Sequence, residues 1–573
     1  MDSTSATKTP AKPRAAVAKA KDTAARKARR AARKAAGPPG QGIARGAAII
    51  AGLTILSRIL GLVRTLVFSQ SLGAGCLGTA YTTANQVPSL IYELAIGGAL
   101  TSAMVPVLAR HAEKDGKGLG GKKARRDVEE ITSALMTWTV IILVPLTLAI
   151  AVAAGPVASL LNPVNPNANC DHSAMIADTS RLLVMFAPQV FLYGVSVVLF
   201  GLLQAYRKFT GPALAPVIAN VVLITTYFTF IPVDGGKGFL HTPAAAMLLL
   251  GLGTTANIAA LVVVPGGPAL LLRLRLRPRL KFPPGVASLA GGLVAVGLIE
   301  FLGQDALNVV VLRVANGHGD TGALVLTNYQ MQVFNAMYGV LAVSIVTAVY
   351  PVLSSRDGKA FDRVSAGSTR AVLLVSWLGT ALMAAIAVPA AHVLAQSDGQ
   401  AGQLVWAFAL AAPGVAGMGV VQNLSRVMFL IGRLRLAAIV LTGISVLALA
   451  LDLGIPVFAP PDWVAPGVAA ASTIASTVIA VPTVLSIRRI RGKRAVEGAG
   501  RAASVGVAAA AAGAVAGVAV SLAIPAAGRV AYGGSAVVSA LAATIVFAVV
   551  AYALDKDDLR AIVARARRYR RGG

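Results

Sequence analysis

With 573 residues, 56% of them hydrophobic, 13% charged and a formal net charge of +29, the chain is too apolar to read as three or four soluble domains. The basic excess does not mark a nucleic-acid binder either, because Lys and Arg flank apolar runs instead of forming one folded patch interleaved with exposed aromatics. A polytopic membrane protein remains.

In chain order, residues 1–45 come first and carry 12 basic and two acidic residues. They lack the apolar h-region of a signal peptide, and so predict a disordered basic tail that touches anionic lipid at about 1 kcal/mol per cation near the surface. Beyond it, stretches that meet the roughly 20 apolar residues needed to cross a bilayer recur fourteen times. The first six lie near 46–72, 77–108, 129–161, 179–206, 211–233 and 243–266. A basic linker, 273–284, precedes six more near 285–315, 322–353, 367–396, 402–432, 434–458 and 464–487. Spans near 502–524 and 531–554 and a basic tail, 555–573, close the chain. The pattern predicts an all-α membrane protein with an N-lobe over 46–272, a C-lobe over 285–490 and an appended helix pair over 502–554. Two lobes around a central cavity are a recurrent transporter plan.

Charge sets the expected orientation. Lys and Arg crowd every second gap: Arg110 to Arg126, Arg207 with Lys208, Arg273 to Lys281, Arg356 to Arg363, Arg433 with Arg435, Arg488 to Arg494, and Arg560 to Arg571. The intervening gaps are poor in both, which by the positive-inside rule puts the two termini in the cytoplasm.

Polar residues inside apolar spans point to function, because a mid-membrane arginine costs on the order of 3 kcal/mol or more unless it faces water, protein or an anion. Span one holds Arg58 and Arg64, separated by about 9 Å of rise and about 120° of rotation, so they can share a wide cavity but not a narrow stripe. Alternatively Arg64 snorkels outward and Arg58 pairs with an acid such as Glu93. Span two carries Glu93 as a cavity candidate, with Pro88, Gly97 and Gly98 weakening the helix or allowing close packing. Span seven contributes Glu300, Asp305, Asn308 and Arg313, which either tie the lobe together or serve gating or ion coupling. Arg426 lies near a basic end and reads as snorkelling, whereas Asp452 falls inside a span with no evident partner. The two cysteines, Cys76 and Cys170, both fall in gaps assigned to the outside. A disulfide persists there, but it needs Cα atoms within roughly 7 Å, so two free thiols are the expectation.

The run Ser57-Arg58-Ile59-Leu60-Gly61-Leu62-Val63-Arg64, continued by Gly73-Ala74-Gly75 and Pro88-Ser89-Leu90, resembles the MurJ/MviN family of lipid II flippases. That family belongs to the multidrug/oligosaccharidyl-lipid/polysaccharide exporter superfamily. A more specific match is Phe186-Ala187-Pro188-Gln189-Val190-Phe191-Leu192-Tyr193-Gly194, followed by Leu202-Leu203-Gln204-Ala205-Tyr206-Arg207-Lys208-Phe209. The resemblance, to an actinobacterial-like member, implies a V-shaped pair of six-helix lobes in the bacterial plasma membrane. Their cationic cavity would take the pyrophosphate and sugar headgroup of lipid II and alternate between the two membrane faces, while the last two helices groove the polyprenyl tail. Arg58 and Arg64 fall on the family's cavity arginines. Tyr92, Thr79, Gln332 and Asn335 stand where relatives carry an arginine, an aspartate, an arginine and a glutamate.

No cofactor is expected, the driving force being an ion gradient or the membrane potential with the ion unidentified. Lipid II, membrane lipids and cell-wall synthesis proteins are the expected partners, and nucleic acid is not one. Enzymatic readings lack a motif: the five histidines have no metal spacing, and no G-x-S-x-G or Walker loop occurs. A drug antiporter on the same fold would suit an acidic cavity better than Arg58 and Arg64. The neutral replacements leave open a transport-inactive scaffold for wall-synthesis partners.

Overall fold

Long apolar runs become helices because a hydrocarbon medium offers no outside partner for backbone N–H and C=O groups. The computed structural model describes residues 41–94, 108, 121–236, 239–281, 286–525 and 528–556. Residues 1–40 and 557–573, where most of the two basic tails fall, lie outside that set, as do 95–107 of span two and 282–285 of the linker.

The first group of helices comprises α1 (Gln41–Ser71), α2 (Cys76–Leu94), α3 (Gly121–Val152), α4 (Ala154–Leu161), α5 (His172–Ala205), α6 (Thr210–Asp234) and α7 (Ala244–Leu270). The second comprises α8 (Val286–His318), α9 (Ala323–Tyr338), α10 (Ser344–Ser354), α11 (Gly358–Ala385), α12 (Ala387–Leu394), α13 (Asp398–Ala411), α14 (Gly414–Leu430), α15 (Leu434–Phe458) and α16 (Val464–Arg491). Last come α17 (Ala499–Ala523) and α18 (Arg529–Leu554). Among the described residues, 12 helical segments are long and apolar enough to cross a membrane. The two other expected spans correspond to α2 and α8, both of which run into residues or side chains left undescribed. Three expected spans are each built from two helical pieces: α3 breaks before α4 at Ala153, α11 before α12 at Ile386, and α13 before α14 at Pro413. Between α9 and α10 the helix widens into a π turn over Gly339–Val343.

In the first group α5 is the hub, packed by α2, α3, α4 and α7, while α1 lies along α6. In the second, α16 is packed by α13, α14 and α15, and α8 lies along α15. The closing pair α17 and α18 pack closely on each other, with α17 also along α11. Gly513 and Gly517 allow this approach: a Cβ there would meet the Ala543 and Ser539 carbonyls of α18, the small-residue contact by which helices associate where lipid gives no hydrophobic drive. α1 and α2 meet α8 and α9 across the molecule, and one core joins Phe68, Tyr81, Phe186 and Tyr227 with Tyr329, Val333 and Phe408.

The basic linker is docked. After Arg273, whose φ is +49°, it runs beside α3, and the backbone N–H groups of Arg275, Arg277 and Arg279 donate to Glu129, Ser133 and Thr137 at 3.0, 3.1 and 3.0 Å. Two extended residues advance about 6.6 Å and four helical residues about 6 Å, so the two periods stay in step for three rungs. Arg279 also pairs with Glu130 at 2.7 Å.

Cys76 and Cys170, expected as free thiols, are instead joined in a disulfide with Cα atoms 5.7 Å apart. The reason is tertiary. α2 and α5 pack side by side, and each cysteine sits at or just before the start of one of them.

Candidate functional site

The Lys/Arg-poor ends of the two helix groups are tied by a set of hydrogen bonds. Asn165 Nδ2 donates to the Asn316 and Gly319 carbonyls at 2.9 and 2.8 Å, and Asn167 Nδ2 to the His318 carbonyl at 3.1 Å. In return Asn316 Nδ2, on a residue 9% exposed, donates to Thr83 Oγ1 at 2.9 Å and to the Leu161 carbonyl at 3.0 Å. Gln400 Nε2 reaches the Ala74 carbonyl at 2.9 Å, and Arg529 contacts Gln70. Gly322, with φ +87°, lies against the Ala74 backbone so closely that a Cβ would overlap its carbonyl oxygen.

Inward from this closed end, Arg64 lines a cavity of about 120 Å³ between the two groups. Thr65, Asn85 and Gln86 line it from α1 and α2, and Asn328, Tyr329 and Gln332 from α9. Tyr81 closes its floor, its hydroxyl sharing hydrogen bonds with the Tyr227 hydroxyl at 2.9 Å and Thr254 Oγ1 at 2.8 Å. Among the described residues no acid pairs with Arg64, and no hydrogen bond uses its guanidinium. The described cavity lining contains polar and apolar residues but no acid.

Arg58, nearer the basic end, crosses to the second group. Its Nη1 donates to the Asn335 carbonyl at 3.4 Å, and its guanidinium lies where a Cβ on Gly339 would stand. That carbonyl belongs to the last turn of α9, just before the π turn into which the helix continues. Such π turns often mark functional sites.

Glu93 does not join the arginines. It faces α8, where Asn308 Nδ2 donates to its Oε2 at 3.5 Å and Asp305 lies in hydrogen-bonding contact. Arg313, further along α8, donates instead to the Leu160 carbonyl at the end of α4, so it anchors that helix and leaves Asp305 alone. The Glu300 side chain lies outside the described residues. Arg426 stands over the Tyr350 ring at 5.9 Å. Asp452 is fully buried, with no donor on either oxygen among the described residues. Tyr92 stacks on Tyr193 with ring centroids 4.0 Å apart, and Thr79 bonds back to the Gly75 carbonyl at 2.9 Å. Gln332 and Asn335, noted from the sequence only as replacements, are the residues α9 sets toward Arg64 and Arg58. The asparagine ties at the closed end were missed, although Asn316 inside an apolar run carried the same signal as the intramembrane charges. Among the described residues no cluster of His, Cys, Asp or Glu is suited to a metal.

Comparison with known proteins adds the family context. The model of the family described as lipid II flippase MurJ matches residues 68–526. The lipid II flippase MurJ of Burkholderia cenocepacia is 26% identical over 348 residues, which are 60% of this chain and 62% of that relative, so the chain spans less than two thirds of its length. A solved structure described as lipid II flippase MurJ in an inward closed conformation superposes with a TM-score of 0.68 at 17% identity, covering 89% of this chain and 99% of the other. An inward-facing multidrug resistance MATE family transporter of the MOP superfamily gives 0.58 at 13% identity over 76% and 95% of the two chains. At those identities the structural likenesses speak for the fold alone.

Proposed function

Since the chain belongs to the lipid II flippase MurJ family, we propose that it moves lipid II, the undecaprenyl-pyrophosphate-linked disaccharide pentapeptide, from the cytoplasmic to the outer leaflet by alternating access. The observation that carries this reading is Arg64, an intramembrane cation lining the cavity between the two helix groups with no acid against it among the described residues. A guanidinium stays charged when partly desolvated and matches phosphate oxygens two at a time, so a pyrophosphate suits this wall better than a cationic drug does. Arg58 serves as a second phosphate contact once it leaves the Asn335 carbonyl.

The positive-inside distribution supports cytoplasmic termini and an outward-facing Lys/Arg-poor end in the bacterial plasma membrane. The described conformation is then closed outside, with the cavity on the route from the cytoplasm. Alternating access consists of breaking the asparagine ties at that end while closing the basic end over the headgroup. An ion gradient or the membrane potential drives the cycle, and the polyprenyl tail lies along α17 and α18.

The test is rescue. In a bacterium depleted of its own lipid II flippase, this chain should restore growth and lipid II exposure on the outer face, and Arg64→Glu should remove both while the protein remains in the membrane. No rescue by the wild-type chain favours a scaffold, and unchanged rescue by the variant removes the phosphate assignment.

A further inference from the structure

Where α2 crosses α8, the carboxyl groups of Glu93 and Asp305 lie in hydrogen-bonding contact across the boundary between the two helix groups. Asp305 is 7% exposed, and among the described residues no donor reaches either of its oxygens. Asn308, one turn along the same face of α8, donates to Glu93 at 3.5 Å, and Gln304 donates to Asn308 Oδ1 at 3.4 Å. The neighbouring amides thus serve Glu93 and leave Asp305 with no partner but the other acid.

Two ionised carboxylates are both acceptors and cannot bond to each other. Held in contact, with one of the two buried, they repel, and such pairs settle by sharing one proton. Among the described residues no cation neutralises the pair: Arg313 of α8 is spent on the Leu160 carbonyl and Arg58 of α1 on the Asn335 carbonyl, while Arg64 lines the cavity. Other titratable groups on the elements around the pair, among the described residues, include Tyr81 and Tyr92 of α2, His318 of α8, Tyr329 and Tyr338 of α9 and Asp452 of α15; His318 is taken up by the Ala459 carbonyl, Tyr81 by Tyr227 and Thr254, and Tyr92 by its stack on Tyr193.

We infer that Glu93 and Asp305 form a proton-binding pair at the boundary between the helix groups. One shared proton holds α2 against α8. Its release to water through the exposed Glu93 side leaves two negative charges in contact and drives the helices apart. The consequence for transport rests on the alternating-access reading, but the binding of the proton does not.

The test uses the full chain in lipid nanodiscs. Infrared difference spectra taken along an alkaline titration in sodium-free buffer should show a protonated-carboxyl C=O band that is present at neutral pH and vanishes at higher pH. Glu93→Gln and Asp305→Asn should each remove that band, and spin labels on α2 and α8 should move apart with rising pH in the wild type but not in Glu93→Gln. Absence of the band in the wild type, its persistence in both variants, or its removal by sodium at constant pH would overturn the inference. The wild-type titration decides even where a variant fails to fold. Lipid II movement is scored separately, so a protein that keeps the band but moves no lipid refutes the flippase reading and leaves the pair standing.

Discussion

Arg64 and Arg58 differ in what surrounds them, and their substitutions should differ accordingly. Arg64 lines the cavity with no hydrogen-bond partner among the described residues, so Arg64→Lys keeps the charge but loses bidentate geometry. Rescue of a flippase-depleted strain should then be partial, with slower lipid II exposure, whereas wild-type rates would argue that only charge matters. Arg58 is held by the Asn335 carbonyl, so Arg58→Lys should both weaken phosphate contact and loosen that crossing. A pH effect is expected outside the membrane at Asp171, which caps α5 by accepting from the Ser173 hydroxyl at 2.6 Å and the Ala174 amide at 2.7 Å. These bonds, the Ser173 hydroxyl first, hold its carboxyl below the usual aspartate range. A depressed acid stabilises above its unfolded pKa of about 4 and loses that contribution as pH falls through the lower folded value. Amide exchange at the start of α5, corrected for intrinsic rate, should therefore quicken in acid for the wild type, and Asp171→Asn should abolish that pH dependence.

Elements meet at positions where the backbone leaves no room. Gly322 opens α9 in the left-handed region that disfavours side chains, and its Cα side is filled by the Ala74 carbonyl of the turn before α2. Gly322→Ala is expected to keep the outer end from closing while the protein still inserts. A cysteine at Asn328, on the cavity wall, should then react with an impermeant maleimide added from outside in the Gly322→Ala background and stay protected without it. Equal protection in both would mean that the turn yields without opening the gate. The loops before α2 and α5 are joined covalently. Neither native cysteine should react with that reagent until a reductant is added, after which both should, and labelling that requires membrane lysis would reverse the assigned orientation. Breaking the bond by Cys76→Ser is expected to cost about 2–4 kcal/mol, as for other long closed loops.

For the molecule as a whole, closure at one end is a sum of modest polar ties, so the balance between conformations can be tuned. Asn316 donates into the first helix group at Thr83 and Leu161 from a nearly buried position. Its removal should cost the closed state about 1–3 kcal/mol, which shifts the ratio of closed to open by roughly fivefold to a hundredfold, since about 1.4 kcal/mol is a factor of ten. Spin-label distances across the Lys/Arg-poor end should lengthen in Asn316→Ala by a growing population of the open distance, and an unchanged distribution would place the closing energy elsewhere.

Hydropathy and charge by themselves determined the helices, their order and the basic and non-basic ends, because whether a segment spans a bilayer depends on its own apolar length and flanking charges. They also exposed Arg58, Arg64, Glu93 and Asp305, since an ionisable group inside an apolar run is conspicuous wherever it points. What they face was decided only in three dimensions. Arg58 meets the Asn335 carbonyl 277 residues away, and Glu93 is bonded by Asn308 215 residues away, so an alternative that paired Arg58 with Glu93 was as consistent with the sequence as the arrangement adopted. The same holds for Cys76 and Cys170, 94 residues apart, and for the linker rungs on α3. A helix's own pattern shows which of its residues share a face. The rotation and depth at which that face meets another helix come from packing all the helices together, and no local stretch of the chain encodes them.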